Sequence, residues 1–93
     1  MNYQCVIVDD ERPALKLITA YLEKLPHIDI VATCESAFEA LDVLHQHSID
    51  ILFLDVNMPG LTGFELLESL SSQPQVIMTT SYREYAVEGF EKC

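Results

Sequence analysis

Positive charge is scarce in this chain. Five lysines and arginines stand against fifteen aspartates and glutamates, for a formal net charge of -10. Such a surface repels phosphate backbones and anionic membranes, which argues against DNA binding by these residues on their own. The acids are dispersed rather than gathered into a tail, so most of them read as solvated helix faces. Long hydrophobic runs are missing too. None approaches the length of a membrane span and no signal-peptide pattern is present, so a cytoplasmic location is expected. Cysteine is sparse: Cys5, Cys34 and Cys93 are odd in number and lack metal-ligand spacing. Cys5 and Cys34 lie in apolar or strand-like stretches and are expected as reduced, buried thiols. No linker, repeat or low-complexity segment interrupts the chain.

What is present is core material. Hydrophobic residues make up 49% of 93 residues, enough for one small folded domain spanning 1–93 and of modest stability. Two continuous apolar runs, Cys5-Val6-Ile7-Val8 and Ile51-Leu52-Phe53-Leu54, have the look of strands buried on both faces. The first strand is expected over about Gln4 to Val8. Arg12-Pro13 then opens a helix, with proline in the first turn where its missing N–H costs little. Its buried face is predicted at Ala14, Leu15, Ile18, Tyr21, Leu22 and Leu25, and Pro26-His27 ends it. A second strand follows from Ile28 to Cys34. Ser36 with Glu39 forms a capping box for a helix carrying Ala37, Ala40, Leu41 and Leu44.

The third strand is expected over Ile49 to Leu54, and the stretch Asn57 to Gly63 is turn chemistry. Thr62 and Glu65 cap a short helix, Phe64 to Leu70, which Ser71-Ser72-Gln73-Pro74 breaks. Val76 to Thr80 reads as a fourth strand, and Ser81 with Glu84 caps a last helix through about Glu91. The order βαβαβαβα predicts an α/β fold, a doubly wound parallel sheet with right-handed crossovers.

Three acids stand out. Asp9 and Asp10 end the first apolar strand, and Asp55 ends the third. Ligands of open parallel sheets bind outside the carboxyl ends of the strands. Carboxylates delivered there suit a hard divalent cation, and one of them could act as a nucleophile toward phosphorus. The Asp9-Asp10 pair equally suits an acidic cluster at a helix N-terminus, and Asp55 a turn or cap aspartate. Thr79 and Thr80 end the fourth strand on the same edge. Adjacent strand residues face opposite ways, so one of the two can reach the acids, and the other is β-branched filler.

Taken together, these strings resemble the receiver domain of two-component response regulators. The resemblance is carried by Val8-Asp9-Asp10-Glu11, Leu54-Asp55-Val56-Asn57-Met58-Pro59-Gly60 with Gly63, and Thr80-Ser81, in the family's order and spacing. The run Thr79 to Glu91 resembles the LytTR (LytR/AlgR) subclass. The resemblance implies a flavodoxin-like, CheY-like fold in which Asp55 is the phosphoacceptor for a sensor histidine kinase, forming an acyl phosphate. It implies Mg²⁺ held by Asp10, Asp55 and the backbone carbonyl of Asn57, with Asp9 assisting through water. Thr80 would be the switch hydroxyl, followed by the small Ser81. Asn57 and Tyr82 would flank the approach of an attacking water, and Pro59-Gly60 and Gly63 would shape the adjoining loop. Such a module is no turnover enzyme; at most it catalyses its own phosphorylation and dephosphorylation.

The sequence departs from that family in one respect. A complete receiver continues into a fifth strand with an aromatic switch residue, a lysine followed by proline, and a fifth helix. These have no counterpart before Cys93, and Lys92 falls at the far end of the last helix. A LytTR-type DNA-binding output is likewise outside this sequence, so DNA would be reached only through it. In the strand order 2-1-3-4-5 the fourth strand then becomes an edge, which invites pairing with another chain. A homodimer through strand four and the last helix is expected, by edge pairing or by domain swap. Two rival readings remain. A haloacid-dehalogenase-like phosphatase would need a second acid two residues after the nucleophile, where Asp55 is followed by Val56-Asn57. A purely structural dimerisation module would keep the acids without phosphate chemistry.

Overall fold

A computed structural model describes residues 2–55, 63–70 and 74–79. Seven elements alternate along it: β1 (Tyr3–Val8), α1 (Arg12–Leu22), β2 (Ile28–Cys34), α2 (Ala37–Gln46), β3 (Ile51–Leu54), α3 (Gly63–Glu68) and β4 (Gln75–Met78). The four strands form one sheet in the order β2-β1-β3-β4, and every pairing is parallel. This is the doubly wound arrangement expected from the alternation. The expected last helix, from Ser81 to Glu91, lies outside the described residues.

The apolar runs became strands because both faces of the sheet are covered. Cys5, Val6, Ile7 and Val8 of β1 are fully buried. Their side chains alternate between two cores, as the period of two requires. On one face Cys5 and Ile7 pack with Leu15 and Leu22 of α1, flanked by Ile18, Ile51 and Phe53. On the other, Val6 and Val8 pack with Leu52 and Leu54 of β3, Ala37 and Ala40 of α2, and Leu66 of α3. Each fully buried aliphatic side chain contributes about 1.5–3 kcal/mol relative to exposure. Cys5 and Cys34 are free, buried thiols, as their surroundings suggested.

The capping box of α2 forms with a small shift. The Glu39 N–H donates to Ser36 Oγ at 3.2 Å, while the Glu39 carboxylate accepts the N–H of Glu35, not of Ser36, at 2.8 Å. Two donors at the helix entrance are still satisfied by one pair of side chains. The box expected at Thr62 and Glu65 straddles the boundary of the described residues.

Several boundaries differ from the sequence expectation. β1 begins at Tyr3 because its N–H donates to the His27 carbonyl at 2.7 Å, ahead of the parallel ladder with β2. β3 starts at Ile51 rather than Ile49: Asp50 already bridges the neighbouring strands, its N–H on Gln4 and its carbonyl on Gln75. The Asp50 carboxylate also accepts the Gln4 N–H at 2.8 Å, which ties the amino ends of β1, β3 and β4 together. β4 begins at Gln75, one residue early, and α3 is assigned only to Glu68. α1 stops at Leu22, after which Lys24 and Leu25 donate to carbonyls three residues back.

The predicted buried face of α1 was too wide. Leu15 and Leu22 are buried and Ile18 is half-buried, but Tyr21 is 62% and Leu25 50% exposed. Tyr21 and Leu17 lie on the exposed flank of the helix, and Leu25 lies beyond its end. No helix of the described residues is long and apolar enough to cross a membrane.

Candidate metal and phosphoryl site

The carboxyl edge of the sheet gathers the acids. Three backbone bonds extend the ladders one step past the strands: Asp9 N–H to the Cys34 carbonyl at 3.0 Å, Asp55 N–H to Val8 at 3.0 Å, and Thr79 N–H to Leu54 at 2.9 Å. Each residue is therefore pinned to the neighbouring strand rather than carried on a free loop. The last register rows are Ile7 beside Phe53 beside Ile77, then Val8 beside Leu54 beside Met78. The next row is Asp9, Asp55 and Thr79.

One carboxylate oxygen from each of Asp9, Asp10 and Asp55 lies within 4.8 Å of the others. Asp9 and Asp55 are only 5% and 7% exposed, whereas Asp10 is exposed. Burying carboxylates this close together is unfavourable unless a cation or a proton compensates. The effect is visible at Asp9. Burial raises its pKa above the usual carboxylate value, and the charges of Asp55, Asp10 and Glu11 raise it further, against the Glu11 N–H bond that lowers it. That N–H donates to Asp9 Oδ1 at 2.9 Å and closes a turn between β1 and α1. Helix α1 begins after it, with Glu11 at the N-cap making no side-chain cap bond and no acid in the first turn. Asp9 and Asp10 thus lie just before the helix rather than in its first turn.

At the mouth of the edge, Arg12 Nε and Glu35 Oε1 form an exposed ion pair at 2.6 Å. The hydroxyl oxygen of Thr79 is buried and has no hydrogen-bond partner among the described residues. Asp9, Asp10 and Asp55, named together from the sequence, lie together at this edge. Asn57, Thr80, Ser81 and Tyr82, also named from the sequence, lie outside the described residues. Neither the Glu11 N–H on Asp9 nor the Arg12–Glu35 pair was anticipated: the first is visible in sequence only as an Asp two residues before a helix cap, and the second joins the start of α1 to the residue after β2.

The donor set suits magnesium. It offers hard oxygen ligands only, two buried carboxylates and one exposed, at a separation a single divalent ion can bridge. The family model described as the response regulator receiver domain matches residues 5–92. This chain belongs to the response regulator receiver family.

Among relatives of this receiver domain, an uncharacterized response regulatory protein of Yersinia pestis is 39% identical over 94% of the chain. The transcriptional regulatory protein BtsR of Escherichia coli is 35% identical over the same share. The chain spans 37% of the length of each of these relatives. Its fold matches the response regulatory domain of protein mrkE from Klebsiella pneumoniae with a TM-score of 0.77, at 28% identity over 95% of this chain and 75% of that one. It matches response regulator protein TrrA of Thermotoga maritima, solved in complex with Mg²⁺ and BeF, with a TM-score of 0.80, at 27% identity over 92% of this chain and 76% of that one. The flavodoxin-like, CheY-like receiver fold expected from the motifs is the observed one.

Proposed function

We propose that this receiver domain accepts a phosphoryl group on Asp55 from a sensor histidine kinase, in a Mg²⁺-dependent reaction. The observation that carries the reading is the buried Asp55 at the carboxyl end of β3 with Asp9 and Asp10 beside it. A carboxylate oxygen of Asp55 attacks the phosphorus of a phosphohistidine. The P–O bond forms as the P–N bond breaks, and the imidazole nitrogen keeps the electron pair. Asp10, Asp55 and the backbone carbonyl of Asn57 are the proposed ligands of the metal, with Asp9 acting through water and Thr80 as switch hydroxyl. Bound Mg²⁺ supplies neutralisation of charge on the transferring oxygens. Asp9 holds the Glu11 N–H and so fixes the turn that presents Asp10.

The domain is read as a phosphoacceptor rather than a turnover enzyme, acting in the cytoplasm. Its output is proposed to be a LytTR-type DNA-binding module outside these 93 residues, because the run from Thr79 to Glu91 resembles that subclass. The test is intact-mass analysis after incubation with acetyl phosphate and Mg²⁺. One phosphoryl adduct is expected on the wild type, absent without the metal and absent in Asp55→Asn. An unmodified wild-type chain under all conditions would favour the module without phosphate chemistry.

A second reading concerns assembly. β4 is the edge of the described sheet, and Ile77 and Met78 on it are 46% and 45% exposed. A depression of about 420 Å³ opens beside it, lined by Tyr3, Ile51, Val76 and Ile77 among others. An apolar edge of this kind supports association with a second copy through β4, by strand pairing or by domain swap. Light scattering across micromolar concentrations should then give a dimer mass, and a monomer throughout would dismiss it.

A further inference from the structure

We infer that the α1 face of the sheet is an interface with a second copy of this chain, in which α1 of each copy seats on the β3–β4 half of the other. This rests on the reading that the chain associates with itself, and it differs from strand pairing at β4 in the surface used. Parallel sheets are covered on both faces. Here α2 and α3 pack on the face of Val6, Val8, Leu52 and Leu54. On the face of Cys5 and Ile7, α1 is the only helix among the described residues, and it lies against β1 and β2. Tyr3, Ile51 and Ile77 belong to that face, since Cys5 is level with Ile51 and Phe53 with Ile77. Tyr3 and Ile77 are exposed, and with Asp50 they line the depression of about 420 Å³ at the amino end of the sheet.

This face is self-complementary. The side of α1 bearing Lys16, Thr19 and Glu23 faces β2, where it lines a groove with Thr33. Leu17 and Tyr21, one turn apart, lie on the opposite side by the helical period, turned toward β3 and β4, and both are exposed. A ridge, α1, thus stands beside a trough. A two-fold axis along the strands lays a second copy's α1 in this trough and this α1 in the second copy's, an isologous pairing that closes on two chains. The two helices come side by side, with Leu17 and Tyr21 of each enclosed between them. That axis keeps the strand directions, so the C-terminal end of α1 falls at the amino end of the facing sheet. Charge agrees. Lys24, just past α1 and 5.8 Å over the Tyr21 ring, comes to the Asp50 end of the trough. Arg12, Lys16 and Lys24 are three of the five cations in a chain of net charge -10, so α1 is where an equally acidic copy can be met without repulsion.

The test is light scattering from micromolar concentrations upward on the wild type, Leu17→Glu, Ile77→Glu and an equal mixture of the two variants. Both side chains are exposed, so neither change should unfold the domain, which melting curves verify. The wild type should be a dimer. Each variant should dissociate roughly ten-fold more readily or beyond, because a charge enters an apolar contact twice per dimer. In the mixture the dimer should return in part, since a Leu17→Glu copy beside an Ile77→Glu copy keeps one unaltered α1 on one unaltered trough. Lys24→Glu should weaken the dimer several-fold at low salt and less at high salt. A Leu17→Glu chain that dimerises as the wild type does, or a mixture no more dimeric than its components, overturns this interface and leaves pairing through β4 standing. A wild type that is monomeric throughout overturns both.

Discussion

Neutralising Asp9 should stabilise the metal-free fold, and the structure gives the size of the effect. Asp9 and Asp55 are buried, and each of the three acids has an oxygen within 4.8 Å of the others. Two unit charges at that distance repel by about 1 kcal/mol in water and about 3.5 kcal/mol at an effective dielectric of 20. The Asp10 pair belongs near the first limit, since Asp10 is exposed, and the Asp55 pair between the two, at about 2 kcal/mol. Asparagine at position 9 removes both repulsions and keeps an acceptor for the Glu11 N–H, though an uncharged one, which returns about 1 kcal/mol. The net gain for Asp9→Asn is about 2 kcal/mol, or about 10 °C in Tm for a domain of this size.

The pH dependence fixes the cause. Because the folded-state pKa of Asp9 is raised above its ordinary 3.8, its charge destabilises the fold at neutral pH. That penalty lifts as pH falls through the raised folded value, and it is gone below the ordinary one. The advantage of Asp9→Asn over the wild type, measured by urea denaturation in chelator, should therefore be full at pH 7 and vanish toward pH 3. Saturating Mg²⁺ should reverse the order at pH 7, since a ligand at about a hundred times its Kd stabilises by about 2.7 kcal/mol and the variant binds it less well. An Asp9→Asn protein no more stable than the wild type in chelator would refute the claim that the Asp9 charge, buried first and repelled second, is a cost to the metal-free fold.

Two further expectations follow from burial. Leu52→Ala should cost about 3 kcal/mol in denaturant unfolding, because Leu52 is fully enclosed between β1, α2 and α3, whereas Leu17→Ala on the exposed flank of α1 should stay within about 0.5 kcal/mol; equal losses would contradict the two-core arrangement. Burial, then the nearby Glu39, pushes the Cys34 thiol up to about 11, and burial followed by Asp29 raises Cys5, so iodoacetamide at pH 8 should leave both unlabelled until urea is added, as read by peptide mass.

Much of this fold is legible in sequence because its signals are local. The runs Cys5-Val8 and Ile51-Leu54 have nowhere to go but between two layers, and Ser36 with Glu39 caps α2 within one turn of chain. Acid at the ends of two such runs was enough to expect Asp9, Asp10 and Asp55 at one edge before any strand was paired. What stayed hidden depends on neighbours. Tyr21 and Leu25 fit the helical period of Leu15 and Leu22, yet the width of a buried stripe is set by what packs on its flank. The register irregularity between Cys5 and Val6, where β1 pairs with β2, leaves no trace in composition. For the two threonines the sequence says that they face opposite ways but not which faces Asp55, since that phase is fixed by the pairing of β3 with β4. The family pattern named Thr80, and the ladder brings Thr79 level with Asp55.

The backbone explains why repulsion among these acids can be stored rather than relaxed. Asp9 is held to β2, Asp55 to β1 and Thr79 to β3, each by one backbone bond of 2.9–3.0 Å past the strand end. A carboxylate on a free loop would swing into water and lose the strain. Here relaxation would require opening a ladder, at a cost of the same order as the repulsion itself. Asp10 is the exposed member, two residues before the helix begins, and burial constrains its side chain least. A rigid pair with one adjustable partner binds a cation without first paying to assemble the site. Charge that is unfavourable in the empty state thereby becomes affinity in the loaded one.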